Sequence, residues 1–207
     1  MGFIHQVKLS ASEDRLEKLI QERLNPGSDK EAIDRRIWDL FGEEWAILFT
    51  DLSGFSRKVA EFGIIHFLQV IYESERLLIP CIDKYDGVLL KLEGDSMMIV
   101  FRRPEKAVEC ALSMQNTLLE YNKDRGDTEK VLLCVGIGYG KMLKIGDSDV
   151  YGSEVNAASK LGEDIAKAGE ILVTGSLKNA CSDMKKIKYQ KISEFVPGAE
   201  ESYKIIY

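Results

Sequence analysis

Residues 46–56 read AILFTDLSGFS, an apolar run that ends on a single acid and passes directly into a glycine turn. Trp45, Ala46, Ile47, Leu48 and Phe49 form a block too short for an independent helix and rich in strand formers, which predicts a buried strand. Asp51 closes it. The polar turn Asp51–Leu52–Ser53–Gly54 then feeds Phe55–Ser56–Arg57, where helical periodicity takes over, so consecutive backbone amides are expected at a helix start. Such amides suit phosphate oxygens, and an acid beside them suits a divalent cation bridging to the same phosphates. A helix-capping aspartate fits the same letters, and on this stretch alone capping is the simpler reading.

Working outward, the chain has 207 residues, of which 45% are hydrophobic, enough to bury a core in one domain with an appendage. Its 28 Lys and Arg stand against 34 Asp and Glu, a net charge of −6, and no long basic run interleaves aromatics, so nucleic acid is not an expected partner. The cluster KKIKYQK at Lys185–Lys191 reads as a solvated strand face. Cys81, Cys110, Cys134 and Cys181 are scattered without a CxxC or Cys/His pairing, which predicts buried reduced thiols in a reducing cytoplasm. The opening residues carry no secretory signal and no apolar run is long enough to cross a bilayer, so a soluble, cytoplasmic chain without a membrane span is expected.

Met1–Leu9 alternates weakly, and Ala11–Leu24 spaces Leu16, Leu19, Ile20 and Leu24 along one helical stripe. Asn25–Ser28 breaks that helix; a second, Asp29–Phe41, places Ile33, Ile37, Trp38 and Phe41 on its apolar side before Gly42 stops it. These stripes could pack on the main domain, on a second copy or on a partner, with the first as the default. Beyond Gly63, which is expected to close a short helix, Ile64–Ile82 keeps helical spacing, with Pro80 expected to bend or end it and His66 read as structural. Asp86–Gly87 turns into two strands, Val88–Leu92 and Ser96–Phe101, joined by Glu93–Gly94–Asp95 as a hairpin. A helix opened by Pro104 carries Ala107, Val108, Ala111, Leu112, Gln115, Leu118 and Leu119. Val131–Gly140 is a strand whose Gly136, Gly138 and Gly140 admit a close neighbour, and Lys141–Ile145 is another strand-like run. Val150–Lys167 reads as a helix entered through Tyr151–Gly152, Glu170–Thr174 as a strand, Ser176–Cys181 as a short helix, and Lys186–Ile192 and Tyr203–Tyr207 as closing strands. The order predicts an α+β fold with helices against one largely antiparallel sheet.

Four separated motifs, FTDLSGFS, KLEGDSMMIVF, GIGYG and DVYGSEVNAASKL, occur in the order seen in class III nucleotidyl cyclase catalytic domains, and from Trp45 onward the chain resembles that family. The resemblance implies a ferredoxin-like βαββαβ core with extra C-terminal strands and helices at residues 43–207, preceded by an N-terminal helical extension at 1–42. It also implies a head-to-tail homodimer with shared sites. By resemblance, Asp51 and Asp95 are the metal carboxylates for two Mg²⁺ or Mn²⁺ ions per active site, and the backbone of Leu52, Ser53, Gly54, Phe55 and Ser56 lies under the phosphates. Lys91 and Asp149 match the adenine-selecting pair, a donor and an acceptor complementary to adenine, so ATP is the favoured substrate and 3′,5′-cyclic AMP with pyrophosphate the expected products. Asn156 matches the ribose-orienting asparagine. Taken singly, each of these is also a solvated lysine, a turn aspartate or a helix-surface amide.

Lys160 departs from the pattern, standing where the family normally has an arginine that stabilises charge on the α-phosphate. Lysine keeps the charge and loses the bidentate fork, so either the rate falls or another cation such as Arg57 assists. Phe195–Val196–Pro197–Gly198 replaces the lysine-glycine stretch often found near the C-terminus, and the arm between Gly140 and Asp149 is shorter than in many relatives. The alternatives are a cyclase for GTP or a pyrimidine triphosphate, a catalytically weak nucleotide-binding regulatory module, and an interaction protein acting through its N-terminal helices.

Overall fold

The computed structural model describes residues 10–54 and 63–207. The alternation at Met1–Leu9 and the short helix expected before Gly63 lie outside them. In chain order the elements are α1 (Ala11–Leu24), α2 (Lys30–Phe41), β1 (Gly42–Leu52), α3 (Ile64–Lys84), β2 (Val88–Glu93), β3 (Ser96–Phe101) and α4 (Pro104–Tyr121). Then come β4 (Leu133–Ile145), β5 (Asp149–Tyr151), α5 (Ser153–Ser159), a π-helical turn (Lys160–Ile165), β6 (Ile171–Thr174), α6 (Gly175–Ala180), β7 (Lys188–Lys191) and β8 (Ser202–Ile206).

The strands form one sheet in the order β2-β3-β1-β4-β6-β8-β7, with β5 hanging antiparallel on β4. Only β4 and β6 run parallel among the pairings. The first four strands and the helices between them make the βαββαβ core, β1 being flanked by β3 and β4. That central position explains the unbroken apolar run of β1. Ala46 and Leu48 face a core shared with α3 and α4 through Leu78, Ile82, Ala111 and Met114, while Ile47 and Phe49 face Val155 and Ala158 of α5. A strand buried on both faces has no polar alternation to show.

Four local expectations are corrected. Of the two outcomes expected at Pro80, a bend or an end, it does not end α3, which continues to Lys84; the carbonyl it leaves without a helical donor belongs to Arg76, and both residues are exposed. Val131–Gly140 and Lys141–Ile145 are one strand, β4. The glycines do not break it, because α5 lies across them: a Cβ on Gly136 would stand 2.1 Å from the Ala158 carbonyl oxygen, and one on Gly138 would stand 2.6 Å from that of Glu154. The helix expected over Val150–Lys167 begins only after Gly152, since Asp149–Tyr151 pairs with β4, and it loosens at Lys160 into a π turn with the Ala166 amide donating to the Leu161 carbonyl at 2.8 Å. Leu119, expected on the buried stripe of α4, is exposed.

Ser10 and Glu13 close a capping box on α1, and Asp29 caps α2. The two helices dock intramolecularly, with Leu19, Ile33, Ile37 and Phe41 gathered around Ile145 at the end of β4. Ile20, Leu24 and Trp38 of the same stripes remain exposed. All four cysteines are buried free thiols, with burial pushing those of Cys110 and Cys181 up to about 12 and that of Cys134 up to about 11.

Candidate active site

The register of β1 against β3 sets the first half of the site. Thr50 lies opposite Met97, and its buried hydroxyl accepts the Met97 amide at 3.1 Å, which pins the start of β3 to the end of β1. The β2–β3 hairpin closes with Glu93 paired to Ser96, leaving Gly94 and Asp95 as a two-residue turn in which Gly94 takes a left-handed φ of 61°. Asp95 is thereby brought within hydrogen-bonding reach of Asp51.

The two acids carry an electrostatic penalty. Burial, then repulsion from Asp95 and Glu163, pushes the Asp51 carboxyl up to about 7, against a hydrogen bond from Ser96. Burial also raises Asp95, opposed by its own amide and by the amide of Leu52. At neutral pH the pair therefore resists carrying two charges. Hard carboxylate oxygens in this state fit Mg²⁺ or Mn²⁺, a cation that commonly uses one or two carboxylates plus substrate phosphates. Among the described residues no group of three or more His, Cys, Asp or Glu is arranged to hold a metal.

The amides after Asp51 are partly committed. That of Leu52 serves Asp95, and that of Ser53 donates to the Leu132 carbonyl at 2.8 Å. Gly54 is exposed at the turn. The phosphate cradle expected over Leu52–Ser56 would thus draw on Gly54 and the residues after it, and Phe55, Ser56 and Arg57 lie outside the described residues.

The second half of the site is built by β2 and β5. Lys91 Nζ donates to Asp149 Oδ2 at 2.7 Å, the Tyr151 hydroxyl donates to the same oxygen at 3.1 Å, and the Val150 amide donates to Asp149 Oδ1 at 2.9 Å. The bond to Asp149 raises the Lys91 ammonium. Burial works against ionised Asp149, but Lys91, the Val150 amide and Tyr151 outweigh it and hold the carboxyl below its usual range. The fold thus brings together Lys91 and Asp149, which are distant in sequence and expected to act as a pair.

Asn156 and Lys160 are both exposed, one turn apart along α5 and the π turn that follows it. Lys160 Nζ donates to Asp164 Oδ2 at 2.6 Å. The π turn is pressed onto the sheet: a Cβ on Gly162 would stand 2.8 Å from the Gly136 amide nitrogen and 3.1 Å from the Phe49 carbonyl oxygen. This close approach next to β1 brings Glu163 near enough to Asp51 and Asp95 to raise both. Sequence reasoning missed Glu163, and also Tyr151 as a partner of Asp149. Glu163 is placed by packing between elements, which no spacing rule shows, whereas Tyr151 stands two residues from Asp149 on the same face of β5, a period-2 signal that could have found it.

A family model described as the adenylate and guanylate cyclase catalytic domain matches residues 42–205. Among curated proteins, the chain is 27% identical over 134 residues to the serine/threonine-protein kinase pkn2 of Myxococcus xanthus, covering 65% of this chain and 16% of that protein. It is 28% identical over 194 residues to an adenylate cyclase of Mycobacterium bovis, covering 84% of this chain and 42% of that protein. The chain thus spans less than half the length of these relatives. Among solved structures, an adenylate/guanylate cyclase/hydrolase from Silicibacter pomeroyi superposes with a TM-score of 0.70 at 24% identity, covering 80% of this chain and 98% of that one. Among the described residues no helix is long and apolar enough to cross a membrane.

Proposed function

Because the chain belongs to the adenylate and guanylate cyclase catalytic domain family, we propose that it is an adenylate cyclase, converting ATP to 3′,5′-cyclic AMP and pyrophosphate as a homodimer. The observation that carries this reading is the juxtaposition of Asp51 and Asp95, two partly buried acids held where their charges oppose each other. Asp51 and Asp95 would hold the Mg²⁺ or Mn²⁺ ions, which when bound neutralise the triphosphate and acidify the ribose 3′-hydroxyl. Catalysis by the chain's own residues is then positioning and charge stabilisation. Gly54 offers its amide to the phosphates, Asn156 orients the ribose, and Lys160 places positive charge at the α-phosphate.

Lys91 and Asp149 support ATP over GTP. Two ammonium protons of Lys91 remain beyond its bond to Asp149, so the pair presents donors and a carboxylate acceptor side by side. Adenine, with an acceptor at N1 and a donor at its exocyclic amine, is the complementary base. In the proposed dimer the carboxylates come from one subunit and Lys91, Asp149, Asn156 and Lys160 from its partner. The helical extension, residues 1–42, precedes the catalytic unit at 43–207.

A second reading, a catalytically weak nucleotide-binding module, is favoured by one observation, the engagement of Lys160 with Asp164 in place of a forked arginine. Substitution of Asp51 separates the two. For the enzyme reading, Asp51→Ala abolishes cyclic AMP formation while circular dichroism and sedimentation stay those of the parent. An unchanged rate in that variant contradicts the proposed site.

A further inference from the structure

A cavity of about 560 Å³ has the Lys91–Asp149 pair in its wall, and the wall facing that pair belongs to the N-terminal helix. Glu13, Leu16 and Ile20 of α1 line it together with Lys91, Asp149 and Tyr151. The volume falls within the range of about 300–1,000 Å³ typical of small-ligand pockets. A second cavity of about 420 Å³ adjoins it, sharing Leu16, Ile20 and Tyr151, and extends the space to Ile37, Trp38 and Leu143. The combined space is polar at the Lys91–Asp149 end, where Glu17 and Gln21 of α1 also line it, and at the other end sets Ile37, Trp38 and Leu143 beside the Arg23–Asp34 ion pair.

The α1 wall is fixed in place. Leu19, fully buried on the adjoining side of the helix, packs with Ile33, Ile37, Phe41 and Ile145, and Leu16 rests partly on the same cluster. Glu13 reaches Ser148, the residue just before Asp149, through a hydrogen bond, and the side chain of Ser12 lies against Gly146 at the β4–β5 turn. The helix is therefore fastened to the segment that carries Asp149.

We infer that α1 is part of the substrate site: its Leu16–Ile20 face is the apolar wall against which the nucleobase lies while Lys91 and Asp149 read the base edge. The chemistry fits a planar heteroaromatic base. Such a ligand needs donors and acceptors along one edge and apolar cover on its faces, which is the division the cavity shows. Ile20 is 42% exposed without a ligand, a large apolar side chain left in solvent beside a hydrogen-bonding pair. This inference rests on the proposed nucleotide site, and its test separates the two.

The test uses the full chain and 3′-deoxy-ATP, which keeps base and triphosphate but lacks the attacking hydroxyl, with inorganic tripolyphosphate as the base-free probe. Ile20→Trp, a change at a half-exposed position that fills the cavity, is expected to weaken 3′-deoxy-ATP binding about tenfold or more, leaving tripolyphosphate binding within twofold. Leu16→Ala, which removes cover instead of blocking space, is expected to weaken the same binding by a smaller factor with the same selectivity. If either variant leaves 3′-deoxy-ATP binding within twofold, or weakens both probes equally, the α1 wall is wrong. Lys91→Ala, measured in parallel, distinguishes the levels. Loss of base-dependent binding there, with none in the α1 variants, overturns only the wall, whereas no loss in any of the three also overturns the assignment of the base pocket.

Discussion

Two pairs of charged side chains, each with one member on the β2–β3 hairpin, are balanced in opposite ways. At its tip Asp95 faces Asp51, acid against acid, and both carboxyls are held above their ordinary range. A little way back along β2, Lys91 faces Asp149 at 2.7 Å, and that acid is held below its ordinary range. The first pair is electrostatically incomplete and suits a cation with its phosphates; the second is neutral as a unit and suits a ligand that hydrogen-bonds without adding charge. One hairpin thus takes part in two charge pairs of different chemistry, which in the proposed dimer serve two different sites.

The largest effect expected from breaking this arrangement is a complementation. Asp51→Ala and Asn156→Ala should each lose about 10³-fold or more in rate, roughly 4 kcal/mol of barrier. Mixing them should restore one good site per heterodimer, seen as recovery of cyclic AMP formation. Absence of recovery would contradict a site shared between subunits. Next is specificity: exchanging the base end with Lys91→Glu and Asp149→Cys together should move the ratio of kcat/KM for ATP over GTP by about 10²-fold toward GTP. Retention of the parental ratio would detach this pair from base selection. Smaller again is Lys160→Arg, expected to raise kcat about tenfold by restoring the bidentate fork, with KM little changed.

The smallest effects read the two pairs as stability. Between the ordinary aspartate range and about 7, folded Asp51 keeps a proton that the unfolded chain releases, so this group destabilises the fold increasingly as pH rises through that window. Asp51→Asn in chelator should therefore raise the melting temperature at pH 8, and less at pH 5. With partial exposure discounted, the gain is on the order of 1 kcal/mol, roughly 2–4 °C for a chain of this size. The lowered Asp149 has the reverse sign: its contribution is present above the ordinary aspartate range and is lost as pH falls through the depressed value. Asp149→Asn should lower stability at pH 7 by about 1 kcal/mol or less, a fall in melting temperature of roughly 2–4 °C at most. Shifts of the same sign in the two variants would contradict the contrast.

Much of this was legible because the signals are local. The β1 run, the capping box of α1, the N-terminal proline of α4 and the GD turn of the hairpin specify elements by short-range chemistry, and the element order then restricts the topology. What stayed hidden depends on contacts between elements. Gly136 and Gly138 read as admitting a close neighbour, but only the fold shows that the neighbour is α5 with the π turn. The π turn itself follows from that packing, and with it the approach of Glu163 to the carboxylates. The stripe of α1 was read from its period, but only the fold reveals that Leu19 docks fully while Leu16, docked in part, and Ile20 line the cavity with Lys91 and Asp149.

Whether the site cyclises ATP is decided by incubating the purified chain with ATP, GTP, CTP and UTP separately, in Mg²⁺ or Mn²⁺, and identifying the products chromatographically. The expected result is 3′,5′-cyclic AMP and pyrophosphate in equal amounts from ATP, with much slower turnover of the other three. Bound nucleotide with no cyclic product under either cation, or a faster yield of another cyclic nucleotide, would contradict it.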